Sequence, residues 1–274
     1  MKNLHFGLLA LPLVFAGGCT QDGRGISPLR GMAASVLKGN AYDRAYVAVR
    51  RKDGAALQRA SNDMLRSENT LANRASQTNT VQNLTAEANI FLTAALSQPE
   101  DQRGQLMILA DGKYRAAIEK VKPEGGVKAI DPNTLNSLGY YLADQGKDLN
   151  DWNQALIFTK AAYQRWVIPK GSGAEVARLN RALLSQDSYA WSLFKLGRFQ
   201  EARVQQEQVL ATARSIAPEQ ISADIVFHMA EIYRLVGEMD KARMEYVAAS
   251  QMSPDDNLKL QIIEGIKALE YKQV

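Results

Sequence analysis

The side chains that most often act as nucleophiles, bases or metal ligands are scarce in this sequence. The 274 residues contain one cysteine, Cys19, and two histidines, His5 and His228. One cysteine excludes an intrachain disulfide and any zinc or iron–sulfur site built from several cysteines, and two distant histidines exclude a histidine-rich metal site. We therefore expect neither a bound metal nor a cofactor.

The motifs of common hydrolases and nucleotide-binding enzymes are missing as well. There is no G-x-S-x-G, no H-E-x-x-H and no phosphate-binding loop of the Walker type. The 29 Asp and Glu could supply two carboxylates for glycoside hydrolysis, but no pair stands out. His228 is expected to be a packed or surface residue. We predict that the chain is not an enzyme and has no catalytic residues.

The amino-terminal residues have the pattern of an exported lipoprotein. One lysine precedes eleven apolar residues, 6–16, which are too few to cross a bilayer as a helix. Small residues then lead into Cys19, and this ending resembles the bacterial lipobox, with Ala16 in place of the usual leucine. The resemblance implies that residues 1–18 are a cleaved signal peptide and that Cys19 carries fatty acyl chains such as palmitate. An ordinary signal peptide with an incidental cysteine is the alternative.

The residues after the cysteine predict the compartment. Thr20 stands where an aspartate retains many lipoproteins in the inner membrane, so the resemblance implies an outer-membrane protein that faces the periplasm. Residues 19–28 are polar and contain glycine, as in a tether. No later stretch is long and apolar enough to span a membrane, so the lipid is the expected membrane contact. Nucleic-acid binding is not expected, because it needs basic residues interleaved with aromatic ones and a cytosolic address.

Apolar residues recur at helical spacing over residues 29–121. Two helices are predicted at about 84–96 and 100–121, and this N-terminal region resembles diverged helix pairs too weakly for individual repeats to be assigned. The K-P-E-G-G segment at 122–126 is the strongest helix breaker in the chain, so we place a soft domain boundary there.

Beyond the boundary, residues 130–274 contain one pattern three times, at about 133–163, 187–213 and 223–256. Each copy is similar to the tetratricopeptide repeat, in which two antiparallel helices cross at small residues, turn at a glycine and are followed by a proline. The second copy departs from the family at Gln206 and Val209, where an aromatic residue and an alanine are usual. The matching residues are Gly139, Gly146, Ala155, Ala190, Gly197, Ala202, Ala230, Gly237, Ala242 and Pro254.

One helix pair cannot bury its apolar face alone, so the copies must stack. The predicted fold class is therefore all-α, a tetratricopeptide-like solenoid of stacked antiparallel helix pairs after a lipoprotein signal peptide. An insertion at 167–185 with its own short helix is expected between the first two copies, and a capping helix is expected at 257–271.

In that family the first helix of each pair lines a concave groove that binds peptides. The family's groove positions correspond to eleven residues here, which we call the groove face: Asn133, Asn136, Tyr140, Asp144, Asp187, Trp191, Lys195, Asp224, Phe227, Glu231 and Arg234. Aromatic and mixed-charge side chains suit an extended peptide or a partner helix. The Lys and Asn cluster with which some members hold a C-terminal carboxylate is not reproduced. Trp191 and Tyr140 as simple core residues are the alternative.

The resemblance implies a lipid-anchored scaffold or adaptor that binds another envelope protein or peptide. Such repeat lipoproteins serve secretin or pilus assembly, outer-membrane assembly or the peptidoglycan machinery. Two alternatives stay open: an envelope hydrolase or cell-wall-binding lipoprotein with its site in residues 29–121, and a purely structural spacer. The sequence does not predict the oligomeric state.

Overall fold

The computed structural model describes residues 48, 55–56, 59–60, 80–96, 103–166, 175–216, 218, 221–252 and 256–270. From residue 80 onwards these ranges contain nine α-helices of 13 to 21 residues, the few described residues before it are also helical, and no described residue is in a strand, which confirms the prediction of an all-α chain. The expected signal peptide, the tether, Cys19 and Pro254 lie outside the described residues. The chain divides into two compact units between Thr134 and Leu135.

Two antiparallel helices form the described core of the first unit: α1 (Val81–Leu96) and α2 (Gly104–Val121). At the start of α1, the Val81 backbone N–H donates to Oε1 of Glu124, which follows α2, at 3.0 Å. Two turns further along α1, Asn89 accepts a hydrogen bond from Tyr114, which lies earlier in the chain than Glu124. The order of contacts is therefore reversed between the two helices. α2 ends at the predicted breaker, where the N–H of Gly126 donates to the carbonyl of Val121 at 2.7 Å.

Seven helices follow, of which all but the first three residues belong to the second unit. They are α3 (Pro132–Gln145), α4 (Leu149–Arg165), α5 (Glu175–Lys195), α6 (Phe199–Ile216), α7 (Ala223–Val236), α8 (Met239–Gln251) and α9 (Asp256–Glu270). From α4 onwards each helix packs against the next along the chain. Neighbouring helix pairs are therefore stacked, as the three sequence copies predict.

Small residues let the helices of each pair approach closely. A Cβ at Gly139 would lie 2.5 Å from Thr159 Cγ2 and 2.9 Å from the Thr159 backbone nitrogen, so only glycine fits where α3 crosses α4. The alanines of the repeat pattern have no exposed surface: Ala155, Ala190, Ala202, Ala230 and Ala242. A larger side chain at these positions would push the two helices apart.

Two of the three turn glycines adopt a left-handed conformation. Gly197 has φ 74° and Gly237 has φ 88°, and each follows the last turn of a first helix. At Gly237 the next residue, Glu238, donates its N–H to the Tyr233 carbonyl at 2.9 Å, which closes the helix end. Gly146 is required for a different reason, because a Cβ there would collide with the Leu142 carbonyl oxygen.

The region expected to be an insertion differs from the prediction. Residues 175–185 do not form a separate short helix; they are the first half of α5, a continuous helix of 21 residues. The first helix of the second pair is therefore about three turns longer than the repeat pattern requires.

The last helix packs on α8 and α7 through a glycine. α9 covers nearly the predicted capping range, and a Cβ on Gly265 would collide with the ring of Tyr246. Leu258, Ile262 and Leu269 are buried on this side of α9. The opposite side of the helix is not purely polar, because Leu260 is 60% exposed.

Candidate functional site

The groove face is carried by the first helices of the three pairs, α3, α5 and α7. Its aromatic members are buried, and four of its six charged members lie nearer to solvent. The buried residues are Tyr140, Asp187, Trp191, Asp224 and Phe227. The partly exposed residues are Asn133, Asn136, Asp144, Lys195, Glu231 and Arg234. Asn133 belongs to the first unit, where its Nδ2 lies 3.5 Å from Asp131 Oδ1.

A buried histidine lies among these residues. His228 Nδ1 is 3.0 Å from Asp187 Oδ1, and because an ionised carboxylate only accepts, the imidazole N–H donates. The imidazole stacks on the Trp191 indole, with ring centroids 4.1 Å apart and planes 18° apart. The rings of Tyr140 and Phe227 each lie 6.2 Å from the imidazole. These five residues, which we call the His228 cluster, bring together side chains from α3, α5 and α7.

A glutamine of α6 supports the cluster from the second helix of its pair. Gln206 Nε2 donates to Asp187 Oδ1 at 2.6 Å and to the Ile225 backbone carbonyl at 2.9 Å. The Asp187 carboxylate therefore accepts hydrogen bonds from both Gln206 and His228, and these two bonds fix its position.

Three buried polar atoms in this region have no hydrogen-bond partner among the described residues. They are the indole nitrogen Nε1 of Trp191, the amide oxygen Oε1 of Gln206 and the amide oxygen Oδ1 of Asn136. Such atoms are uncommon in folded proteins, because each gives up its hydrogen bonds to water without replacement. Two of the three are acceptors.

The cluster is surrounded by carboxylates. Burial raises the pKa of Tyr140, and the charges of Asp144, Asp224 and Asp187 raise it further. Burial also raises the pKa of Asp144, partly offset by Lys195, by a hydrogen bond from Gln145 and by His228. Asp144 therefore lacks the full stabilisation that a carboxylate has in water.

The imidazole responds to the same charges. Burial alone would lower the pKa of His228, but the charge and hydrogen bond of Asp187, together with Asp224 and Asp144, raise it above its ordinary value of 6.5. Lys195 is the cation at the edge of the cluster, with its Nζ 5.1 Å from the centroid of the Trp191 ring.

A second group of polar side chains lies one helical turn further along α7. Arg234 Nη2 contacts Glu231 Oε2 at 2.5 Å, and Arg234 Nε lies 3.2 Å from the hydroxyl of Tyr246. The Tyr246 hydroxyl also donates to Glu231. Burial, followed by the charge of Glu231, raises the pKa of Tyr246. The two charges of Glu231 and Arg234 therefore compensate each other.

Sequence reasoning missed the importance of two residues. His228 was expected to be packed or on the surface; it is packed, but as the partner of a buried aspartate. Gln206 was noted as a departure from the repeat family, and it is the residue that hydrogen-bonds Asp187. A polar residue at an aromatic repeat position, opposite an acidic residue one helix away, is the signal that could have found the pair.

The geometry limits what the cluster can do chemically. An aspartate that orients an imidazole is one half of a nucleophile-activating triad. In the described part of the chain, the one hydrogen bond of the imidazole is to Asp187. No three His, Cys, Asp or Glu side chains in the same residues are grouped so that they could hold a metal ion. The arrangement suits orienting the imidazole and favouring its protonated form.

The structure and the comparisons add two findings about the chain as a whole. Within the described ranges, no helix has the length and apolar character needed to cross a membrane. The sequence matches no model of a known protein family, and it matches no curated protein.

Proposed function

We propose that the chain is a tetratricopeptide-like scaffold that binds a segment of another protein on its groove face. One observation carries the proposal: side chains from the first helices of three successive pairs meet around His228, and four charged residues at the same face are partly exposed. Aromatic residues and Arg are enriched in protein-binding surfaces, and the rim of such surfaces is polar.

The partner is proposed to be an envelope protein. The argument is the sequence alone, in which a signal-like segment precedes a single cysteine at the lipidation position. A lipid on Cys19 would hold the scaffold at the bacterial outer membrane, facing the periplasm. Secretin or pilus assembly, outer-membrane assembly and the peptidoglycan machinery are the processes that such an adaptor would serve.

Truncating Trp191 or Phe227 would test the proposal poorly. Both side chains are buried, and replacing a buried aromatic residue by alanine costs about 3–5 kcal/mol of folding stability. Loss of partner binding could then reflect loss of the fold.

Site-specific photocrosslinking in cells avoids this problem. A photoreactive amino acid replaces Asn136, which is partly exposed on the groove face, and in a control replaces Val204, which is 52% exposed on the second helix α6. We expect a defined crosslinked partner from position 136 and none from position 204. Crosslinks from 204 alone, or from neither position, would contradict the proposal.

A further inference from the structure

Two stacked tyrosines lie on the side of α5 that faces away from the groove face. Tyr189 is two residues from both Asp187 and Trp191, which is more than half a turn of the helix in either direction. Its ring stacks on that of Tyr163 from α4, with centroids 5.9 Å apart and planes 13° apart. Both tyrosines are partly exposed. A second aromatic surface therefore lies between α4 and α5.

This surface continues past the end of α4 with a tryptophan and an arginine. Trp166 follows Tyr163 by three residues, so the two side chains are neighbours on one side of α4. The guanidinium carbon of Arg181, on α5, lies 5.2 Å from the centroid of the Trp166 ring. Lys160, three residues before Tyr163, extends the same side of α4 in the other direction. We call Lys160, Tyr163, Trp166, Arg181 and Tyr189 the outer patch.

The outer patch contains two cations and no carboxylate. A hydrogen bond from Arg198 and the charges of Arg198 and Lys160 lower the pKa of Glu201, on α6. Arg198 already holds that carboxylate with two hydrogen bonds of 2.7 Å, so these two residues balance each other. In the part of the chain that the structure describes, neither Lys160 nor Arg181 forms a salt bridge. Charge complementarity therefore favours an acidic ligand over a basic one.

The residue types of the outer patch favour a protein segment as the ligand. Tyr, Trp and Arg are enriched among the residues whose truncation costs most binding energy in protein interfaces. Arg181 carries its N–H donors in a planar fork that matches a carboxylate, and its contact with Trp166 restricts the side chain before binding. The aromatic side chains are only partly exposed, so they do not project as the interfacial aromatic residues of membrane proteins do.

We propose that the outer patch binds an acidic segment of a partner protein, with one aspartate or glutamate on Arg181 and a second acidic residue near Lys160. The stacked tyrosines contact the part of the segment between these two charges. Because the outer patch lies on the opposite side of α5 from the groove face, it is a second binding surface that does not depend on the proposed function.

The test selects peptides that need the outer patch. The full chain, purified in detergent, selects binders from a library of random peptides of about 12 residues, which span up to about 40 Å when extended. Peptides that also bind the double variant Arg181→Gln/Tyr189→Ala are then removed, so binders of the groove face are discarded. We expect the remaining peptides to contain an excess of Asp and Glu. Their dissociation constants are measured by fluorescence polarisation.

Single variants identify the contacts. Arg181→Gln and Lys160→Gln should each weaken binding about threefold to fivefold, as the loss of one solvent-accessible ion pair does, and both keep a long polar side chain outside the core. Raising NaCl from about 0.05 M to about 0.5 M should weaken binding to the wild type more than binding to either variant. Arg243→Gln, at an exposed arginine on α8, is the matched control and should leave the dissociation constant unchanged.

The outcomes separate this inference from the proposed function. If no peptide is lost with the double variant, or if the remaining peptides lack an excess of Asp and Glu, the inference is wrong and peptide binding at the groove face stands. In that case, micelles containing phosphatidylglycerol that bind the wild type but not Arg181→Gln would identify a lipid surface, and a wild-type dimer that Arg181→Gln dissociates would identify a second copy.

Failure to select any peptide would contradict both the inference and the proposed function. Circular dichroism shows whether the double variant keeps its helices. If it does not, the removal step is repeated with Arg181→Gln alone.

Discussion

His228 combines three properties: it is buried, it is hydrogen-bonded to a buried aspartate, and it stacks on an indole. Burial opposes the charge of the imidazole, and the surrounding carboxylates favour it. Because the carboxylates outweigh burial, the pKa of His228 is raised above its ordinary value.

We expect the protein to lose stability as the pH rises. The pKa of His228 is raised in the folded state, so the folded state binds the proton more tightly than the unfolded state does. The resulting stabilisation is complete below about pH 6.5 and is lost as the pH rises through the folded pKa, at about 1.4 kcal/mol for each unit of pKa shift. Urea unfolding between about pH 6 and pH 8 measures this loss.

The matched variant is Asp187→Asn, which keeps the histidine and removes the main charge that raises its pKa. Its free energy of unfolding should depend less on pH over the same range. The pKa of Asp144 is also raised in the folded state, so the titration of Asp144 also lowers the stability as the pH rises. This second loss begins at about the ordinary pKa of 3.8, and we expect it in both proteins. Equal slopes in the two proteins would show that Asp187 and His228 are not coupled.

The sequence left open whether Tyr140 and Trp191 line a groove or are core residues, and in the structure both side chains are buried. Helical spacing places Tyr140, Asp187 and Trp191 on the first helices, and this follows from the repeat register. Whether such a face is open or filled depends on how tightly successive pairs coil, which is set by contacts between distant residues such as Tyr140 and His228. Periodicity carries no information about those contacts.

At the level of the elements, a glycine permits the close crossing of α3 and α4, where a Cβ at position 139 would lie 2.5 Å from Thr159 Cγ2. Gly139→Ala should lower the free energy of unfolding by about 1–3 kcal/mol, because the new methyl group would overlap Thr159 in a packed interface. Thermal or urea denaturation followed by circular dichroism measures the change.

The same substitution at Gly112 is the control. Gly112 lies in α2 with no atom within 4 Å of an added Cβ, so Gly112→Ala should raise stability by about 0.5–1 kcal/mol through helix propensity. A neutral effect of Gly139→Ala would mean that α3 and α4 are not held at the distance described above.

The ends and crossings of the helices were predicted best where glycines or other small residues mark the repeat pattern. Gly197 and Gly237 identified the ends of α5 and α7, because a left-handed residue ends a helix. The extension of α5 was missed because residues 175–185 lie outside the repeat register, and a glycine-containing segment before them suggested an independent insertion. When a helix begins before the repeat motif, the residues of the motif do not show that it does.

At the level of the whole molecule, we predict that the position of the chain in the cell depends on one residue, Cys19. We expect Cys19→Ser to abolish labelling with radioactive palmitate and to move the protein from the membrane to the soluble fraction, because two or three acyl chains make anchoring effectively permanent. Cell fractionation and labelling of the bacterial host measure both effects. A Cys19→Ser protein that remains with the membrane would show a different anchor.

The all-α class and the stacked pairs followed from the sequence, because a repeated apolar pattern has few ways to bury itself. The partner did not, because the three copies share the small residues that pack helices together, and these residues carry no information about what the exposed positions bind. The proximity of Asp144, Asp187 and Asp224 to Tyr140 became visible only when three helices were brought together.

The docking of α9 links the C-terminal end of the array to the groove face. Gly265 lets α9 lie directly on the ring of Tyr246, and the hydroxyl of that tyrosine contacts Glu231 and Arg234 on α7. Stacked repeats open most readily at their ends. Because Gly265 lies against this ring, a displacement of α9 would change the packing of the one residue of α8 that hydrogen-bonds both Glu231 and Arg234.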